Sequence, residues 1–130
     1  MSRGIIVLGH GSRAEVTEAN DAIFVVAELV KQKTSSDLVE AALMNRSSNL
    51  QSVDQAAEVL IQKGVKEIVL APWFLTKGAH IQSDIPRIIA RVQERFPGVQ
   101  IVMAPPLGPD PKIVDVLLER VQEVEDGFHN

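Results

Sequence analysis

Two of the three histidines, His10 and His80, each follow an apolar run and sit near glycines: Gly9 and Gly11 flank the first, and Gly78 lies two residues before the second. Neutral imidazole ligates Fe, Co, Ni and Zn, and it takes up a proton near neutral pH. Two imidazoles brought together can therefore hold a divalent metal or accept protons, and residue type alone leaves both roles open. The chain has no cysteine, so disulfides and thiolate sites are excluded and any metal ligand must be histidine, carboxylate or amide oxygen. A lone histidine at a strand end is more often a hydrogen-bonded structural residue; the pairing is what points to chemistry. His129, near the end of the chain, is assigned no role.

Whether the two histidines meet depends on the elements between them. Four apolar runs rich in β-branched residues, 4–8, 38–44, 67–71 and 99–104, read as buried strands. Between them the spacing is helical. Ala19, Ile23, Val26 and Val30 share one face, with Glu18, Asp21, Glu28 and Lys31 outside. Ser52 and Gln55 form a capping box that opens a second helix, which buries Ala56, Ala57, Leu60 and Ile61 and stops at Gly64. A third helix is expected from an N-cap at Ser83, with Pro86 in its first turn and Ile85, Ile88, Ile89 and Val92 as its stripe. Asp110-Pro111 starts the last helix, whose inward residues are expected to be Val114, Leu117, Leu118 and Val121. Strict β-α alternation predicts an α/β fold: one flavodoxin-like domain over 1–124, a four-stranded parallel sheet of order 2-1-3-4 with helices on both faces, and a frayed tail at 125–130.

In that order the first and third strands flank the point where strand order reverses, which is where open parallel sheets bind ligands. The loops sharing this rim carry His10-Gly11-Ser12-Arg13, Asn45-Arg46-Ser47-Ser48, the segment from Pro72 to His80, and Pro105-Pro106-Leu107-Gly108-Pro109. Gly9, Gly11 and Ser12 suit an anion-binding loop at a helix start, but the glycines equally suit a sharp bend out of a buried strand. Arg13 and Arg46 favour an anionic ligand. Trp73 and Phe74 either line an apolar pocket and stack on a planar ligand or close the core. Lys77 and Gly78 lie in a connection expected to run about ten residues, long enough for a mobile binding loop.

At 130 residues and 45% hydrophobic content the chain makes one domain with a core. A net charge of -4 and the lack of any Lys/Arg block argue against nucleic acid as a partner. The apolar run at 4–8 is too short for a secretory signal or a membrane span, so the expectation is a soluble cytoplasmic protein without a membrane partner.

Gly9-His10-Gly11-Ser12-Arg13, the pattern Pro72-x-Phe74-Leu75-x-x-Gly78-x-His80-x-x-x-Asp84-Ile85-Pro86, and the Pro-Pro-Leu-Gly segment before the last helix together resemble a short class II chelatase, the sirohydrochlorin chelatases of the CbiX type. The resemblance covers almost the whole chain. It implies ATP-independent insertion of a divalent metal into sirohydrochlorin, a polycarboxylate tetrapyrrole, on the way to cobalamin, siroheme or the nickel cofactor of methanogenesis. The metal is substrate, Co²⁺ first with Ni²⁺ or Fe²⁺ as alternatives, and no organic cofactor is implied. His10 and His80 resemble the family's metal-site and proton-accepting histidines, and Ser12 and Arg13 lie where macrocycle carboxylates can be held. Asn45, Arg46, Trp73, Lys77, Gly78 and Ala79 complete the expected substrate surface.

Longer relatives are two similar halves in one chain, and short ones form homodimers, so a homodimer is implied here. Its two rims are expected to face one another across a single macrocycle, with Phe24 and Val25 at the interface or, alternatively, in the core. One departure stands out. Several relatives carry a glutamate after the second strand where this chain has Asn45, which implies lower metal affinity, with changed metal preference or reduced activity as the consequence. That departure motivates one alternative, a non-catalytic metal or tetrapyrrole carrier of the same fold. A phosphate-ligand module using the loop from Gly9 to Arg13 is another, although it lacks a Walker lysine and a Rossmann glycine triplet.

Overall fold

The β-branched runs become a parallel sheet. A computed structural model describes residues 3–11, 18–44, 51–125 and 127, with backbone alone for 18–20, 79 and 80. Its elements alternate: β1 Arg3–Gly9, α1 Glu18–Thr34, β2 Val39–Leu43, α2 Val53–Gln62, β3 Glu67–Pro72, α3 Ala79–Arg95, β4 Gln100–Met103 and α4 Pro111–Glu125. The sheet order is β2-β1-β3-β4, all parallel, with Leu8 opposite both Ala42 and Pro72 and Leu70 opposite Met103. The expected α/β fold and strand order are the observed ones.

Alternation along the strands splits the core into two layers. Ile6, Leu8, Ile68, Leu70 and Ile101 face α2 and α3, whose Ala56, Ala57, Leu60, Ile85 and Val92 close that side. Val7, Val39, Ala41 and Leu43 face α1 through Ile23 and Ala27. Gly9 makes this second contact possible: a Cβ there would overlap Ile23 Cγ1 and lie 2.7 Å from Ile23 Cδ1. Its absent side chain therefore serves helix–sheet packing, which accounts for one of the two glycines of the first loop without a ligand. Gly11, at φ +87°, supplies the bend.

The capping box at α2 forms as its residues dictate. The Gln55 N–H donates to Ser52 Oγ at 3.2 Å, and the Ser52 N–H donates to Gln55 Oε1 at 2.9 Å. Gly64, at φ +91°, turns the chain into β3. Between α2 and α3, Arg91 meets Asp54 at 2.7 Å, and Arg95 reaches Asp54 at 3.5 Å and Glu58 at 3.4 Å.

Both sheet edges are blunted by a glutamine. At β2 the Gln51 side-chain amide donates to the Ala41 carbonyl at 2.8 Å, while the Gln51 main-chain carbonyl accepts from the Leu43 N–H at 3.0 Å. At β4 the Gln93 amide donates to the Val99 carbonyl, and its Oε1 accepts from the Ile101 N–H at 3.2 Å. Two outward-facing backbone groups on each edge, Ala41 C=O and Leu43 N–H on β2 and Val99 C=O and Ile101 N–H beside β4, are thereby occupied.

Three expectations are corrected. Helix α3 starts at Ala79 after an N-cap at Gly78, not at Ser83, because its apolar stripe runs back to Ile81, which packs on the core. Pro86 therefore lies inside the helix, on its exposed side. The connection after β3 is correspondingly short, 73–78, and it is pinned. The Trp73 N–H donates to the Leu8 carbonyl, and the Phe74 and Leu75 carbonyls accept from Leu107 and Gly108, each at 2.8 Å.

Helix α4 starts where expected, with the Lys112 N–H on Asp110 Oδ1 at 2.9 Å, but Val114, Leu117, Leu118 and Val121 are all exposed and no residue of the helix is buried. Its stripe exists, and among the described residues nothing buries it. Phe24 and Val25 are likewise exposed, which removes the core alternative for them. No helix among the described residues is long and apolar enough to cross a membrane.

Candidate functional site

Because β1 and β3 are adjacent and end together, the chain leaves both on the same rim. His10 follows β1 directly, and its exposed ring meets the Phe74 ring edge-on, centroids 6.2 Å apart and planes at 79°. His10 Nδ1 lies 3.2 Å from the Gly11 carbonyl oxygen. With its hydrogen on Nδ1, the ring donates to that carbonyl, and the Nε2 lone pair is left for a metal or a proton.

Phe74 is half-buried, and its ring also walls a cleft of about 350 Å³. The cleft lies between the β3–α3 connection, the first two turns of α3 and the end of β4; Pro72, Ile81, Ile85, Met103 and Pro106 make it apolar, while Lys77 and Gln82 supply polar groups. The walls are rigid for identifiable reasons. Phe74 and Pro106 are on segments joined by the 2.8 Å bond from Leu107, and Gln82 is tied back to the Lys77 carbonyl at 3.3 Å and the Gly78 carbonyl at 3.0 Å. The start of α3 has a glycine N-cap, no side-chain cap and no acidic residue in its first turn. The helix dipole at this end, with Lys77 beside it, makes it electropositive and suited to a carboxylate.

Of the residues singled out from sequence, the structure brings His10, Phe74, Lys77, Gly78 and the backbone of Ala79 and His80 onto one rim. His80 lies in the first turn of α3 and not in a loop. Trp73 is 45% exposed and does not wall the cleft. Ser12, Arg13, Asn45 and Arg46 lie outside the described residues; the Met44 N–H, just before the latter pair, donates to the Gly9 carbonyl at 3.0 Å. Ile81, Gln82 and Met103, which line the cleft, were missed from sequence, whereas Pro106 lies on one of the expected rim loops. The i, i+4 spacing of Ile81 and Ile85 is the signal that extends α3 and would have found the first of them.

The arrangement defines a class: a doubly wound α/β domain with an imidazole beside an apolar cleft on the rim where strand order reverses between β1 and β3. Comparison with known proteins narrows it. The CbiX family profile matches residues 4–124. The chain is 34% identical to the sirohydrochlorin cobaltochelatase of Sulfurisphaera tokodaii, covering 93% of this chain and 92% of that one. It is also 34% identical to the chloroplastic sirohydrochlorin ferrochelatase of Arabidopsis thaliana, covering 92% of this chain and 51% of the relative. Among solved structures, the sirohydrochlorin chelatase SirB of Bacillus subtilis subspecies spizizenii in complex with cobalt superposes with a TM-score of 0.82 at 27% identity, over 95% of this chain and 51% of that chain. The protein belongs to the CbiX family of sirohydrochlorin chelatases. It spans about half the length of the plant ferrochelatase and of SirB, and nearly all of the archaeal cobaltochelatase.

Proposed function

We propose that this chain inserts Co²⁺ into sirohydrochlorin, with Ni²⁺ and Fe²⁺ as competing substrates, and that His10 and His80 are the metal ligands and proton acceptors. The reaction exchanges two pyrrole N–H protons for one divalent ion: two N–H bonds break, metal–nitrogen bonds form, and two protons leave on bases. A site for it needs a nitrogen ligand that strips water from the ion, a neutral base, and an apolar surface for the ring. The observation that carries the reading is the His10 ring set against the Phe74 wall of the cleft, on the same rim as the α3 turn that holds His80.

The carboxylates of the macrocycle are assigned to Lys77 and the backbone N–H groups around Gly78 and Ala79, with Ser12, Arg13, Asn45, Arg46 and Trp73 as further contacts. The preference for cobalt follows the cobaltochelatase relatives that match this chain end to end and the cobalt complex of SirB. The working unit is the single domain over 1–124, acting as a homodimer. The relatives of about twice its length support the dimer.

Anaerobic absorbance of sirohydrochlorin with each metal in turn tests the reading. Acceleration over the protein-free rate, lost in His10→Ala and in His80→Ala, is the expected result; rates equal to the control in wild type refute an enzyme. The second reading, a carrier, is favoured by Asn45 in place of a carboxylate. It is distinguished by tight calorimetric binding of sirohydrochlorin without any acceleration.

A further inference from the structure

Pro86 stands well inside a helix that runs from Ala79 to Arg95, past the first turn where proline is tolerated without loss. It does not end the helix. Beyond it Ile88, Ile89 and Val92 still pack on the core, and Arg91 and Arg95 still reach Asp54. Its chemical consequence falls on one group. Proline has no N–H, so the Gln82 carbonyl, one turn earlier, is left without the donor that a helix would give it.

The residues around that carbonyl hold it in place. The Gln82 N–H donates to the Gly78 carbonyl at 3.0 Å, its side-chain amide donates to the Lys77 carbonyl at 3.3 Å, and Ile81 and Ile85 anchor the same turns in the core. Gln82 and Pro86 both wall the apolar cleft, with Phe74, Ile85 and Met103. The cleft therefore carries an open backbone acceptor among apolar side chains, where a ligand that brings a donor is favoured over one that does not.

We propose that the Gln82 carbonyl accepts a hydrogen bond from a pyrrole N–H of the metal-free macrocycle, and that Pro86 keeps this acceptor open. The proposal rests on the chelatase reading above and adds a preference for substrate over product. At neutral pH the carboxylates of sirohydrochlorin are ionised and only accept, so its pyrrole N–H groups are the donors. Gly78 and Gln82 are one turn of α3 apart, about 6 Å along its axis, the scale of one pyrrole ring with its acidic arm. A carboxylate at the electropositive end of α3 and an N–H at the carbonyl are thus compatible on one ring. The carbonyl takes no proton; the two protons leave on the histidine bases, metal–nitrogen bonds replace the N–H bonds, and the contact is lost. The metallated ring is then held less tightly than the ring that entered.

Pro86→Ala supplies the missing N–H and closes the carbonyl. Pro86→Gly does the same with a weaker helix former, so the pair separates the hydrogen bond from helix propensity. Calorimetry under anaerobic conditions gives the affinity of wild type and both variants for sirohydrochlorin and for its cobalt complex, beside urea unfolding. Both variants are expected to bind the metal-free ring about 3- to 10-fold more weakly than wild type, with the cobalt complex unchanged and the urea midpoint of Pro86→Ala raised. An equal loss for both ligands, or no loss for the metal-free ring, overturns the proposal. So does a lowered midpoint in Pro86→Ala, which would show that the proline serves the fold. In each of these cases a wild type that metallates sirohydrochlorin leaves the chelatase reading standing; a wild type that neither binds nor metallates it overturns both.

Discussion

The Phe74 ring both touches the His10 imidazole edge-on, at 6.2 Å between centroids, and walls the apolar cleft. One side chain thereby links a ring nitrogen donor at the end of β1 to the apolar surface of the cleft. The coupling is local in space and distant in sequence. It exists because β1 and β3 pair in register up to Leu8 and Pro72.

Phe74→Leu keeps the cleft apolar and removes the edge contact. Aromatic pairs of this geometry contribute roughly 0.5–1.5 kcal/mol, so metallation is expected to slow by about 3- to 10-fold while the folding stability changes little more than for a partly buried apolar swap. Single-turnover metallation beside urea unfolding checks this. An unchanged rate would show that Phe74 does not position His10.

Gly9→Ala places a methyl group against Ile23 and Leu43. Overpacking of that kind costs about 1–3 kcal/mol, read as a lower urea midpoint. Combining it with Ile23→Ala is expected to cost less than the sum of the two changes, because the second removes the obstruction. Strict additivity would refute the close-approach account of Gly9.

Asp54 governs the acid side of the stability profile. Burial by itself would raise its carboxyl, but the hydrogen bond from Arg91 and the charges of Arg91 and Arg95 outweigh it and hold the group below its ordinary 3.8. A carboxyl depressed in the folded state stabilises above its unfolded value and loses that contribution as pH falls through the folded one. Asp54→Asn is therefore expected to be less stable than wild type by about 1 kcal/mol at pH 7, with the gap closing as pH falls below 3.8 and through the lowered folded value. A gap that persists at low pH would show that packing, not charge, is what the substitution removes.

Gln93→Leu frees the Val99 carbonyl and the Ile101 N–H at the edge of β4. A loss of about 1–2 kcal/mol is expected from the two unmade bonds, together with a concentration-dependent rise in light scattering as the edge becomes available. Stability lost without added association would mean that the edge is protected by something other than Gln93.

Much of the molecule is local and therefore legible in the residues. Period-two burial at Ile6 and Leu8 against Ile5 and Val7, the Ser52–Gln55 box, the left-handed turn at Gly64 and the Asp110-Pro111 start each depend on neighbours a few positions away, and each forms as its residue types dictate. With the elements assigned, the handedness of parallel crossovers leaves few topologies, and the rim bearing His10 and His80 follows from chain order.

What tertiary structure alone decided are the contests between local signals and distant contacts. Ser83 is a sound N-cap by type, but packing of Ile81 against the core carries α3 back to Gly78 and puts His80 in a helix turn. Gly9 reads equally as part of an anion loop or as bare backbone until Ile23, fourteen positions away, is seen to occupy the space of its missing side chain. Trp73 and Phe74 are equivalent candidates by sequence; the register of β3 turns one toward the cleft and leaves the other outside its walls. The stripe of α4 is fully written in the residues, yet a stripe specifies only that something must cover it. In the fold that stripe is exposed, with no residue of the helix buried.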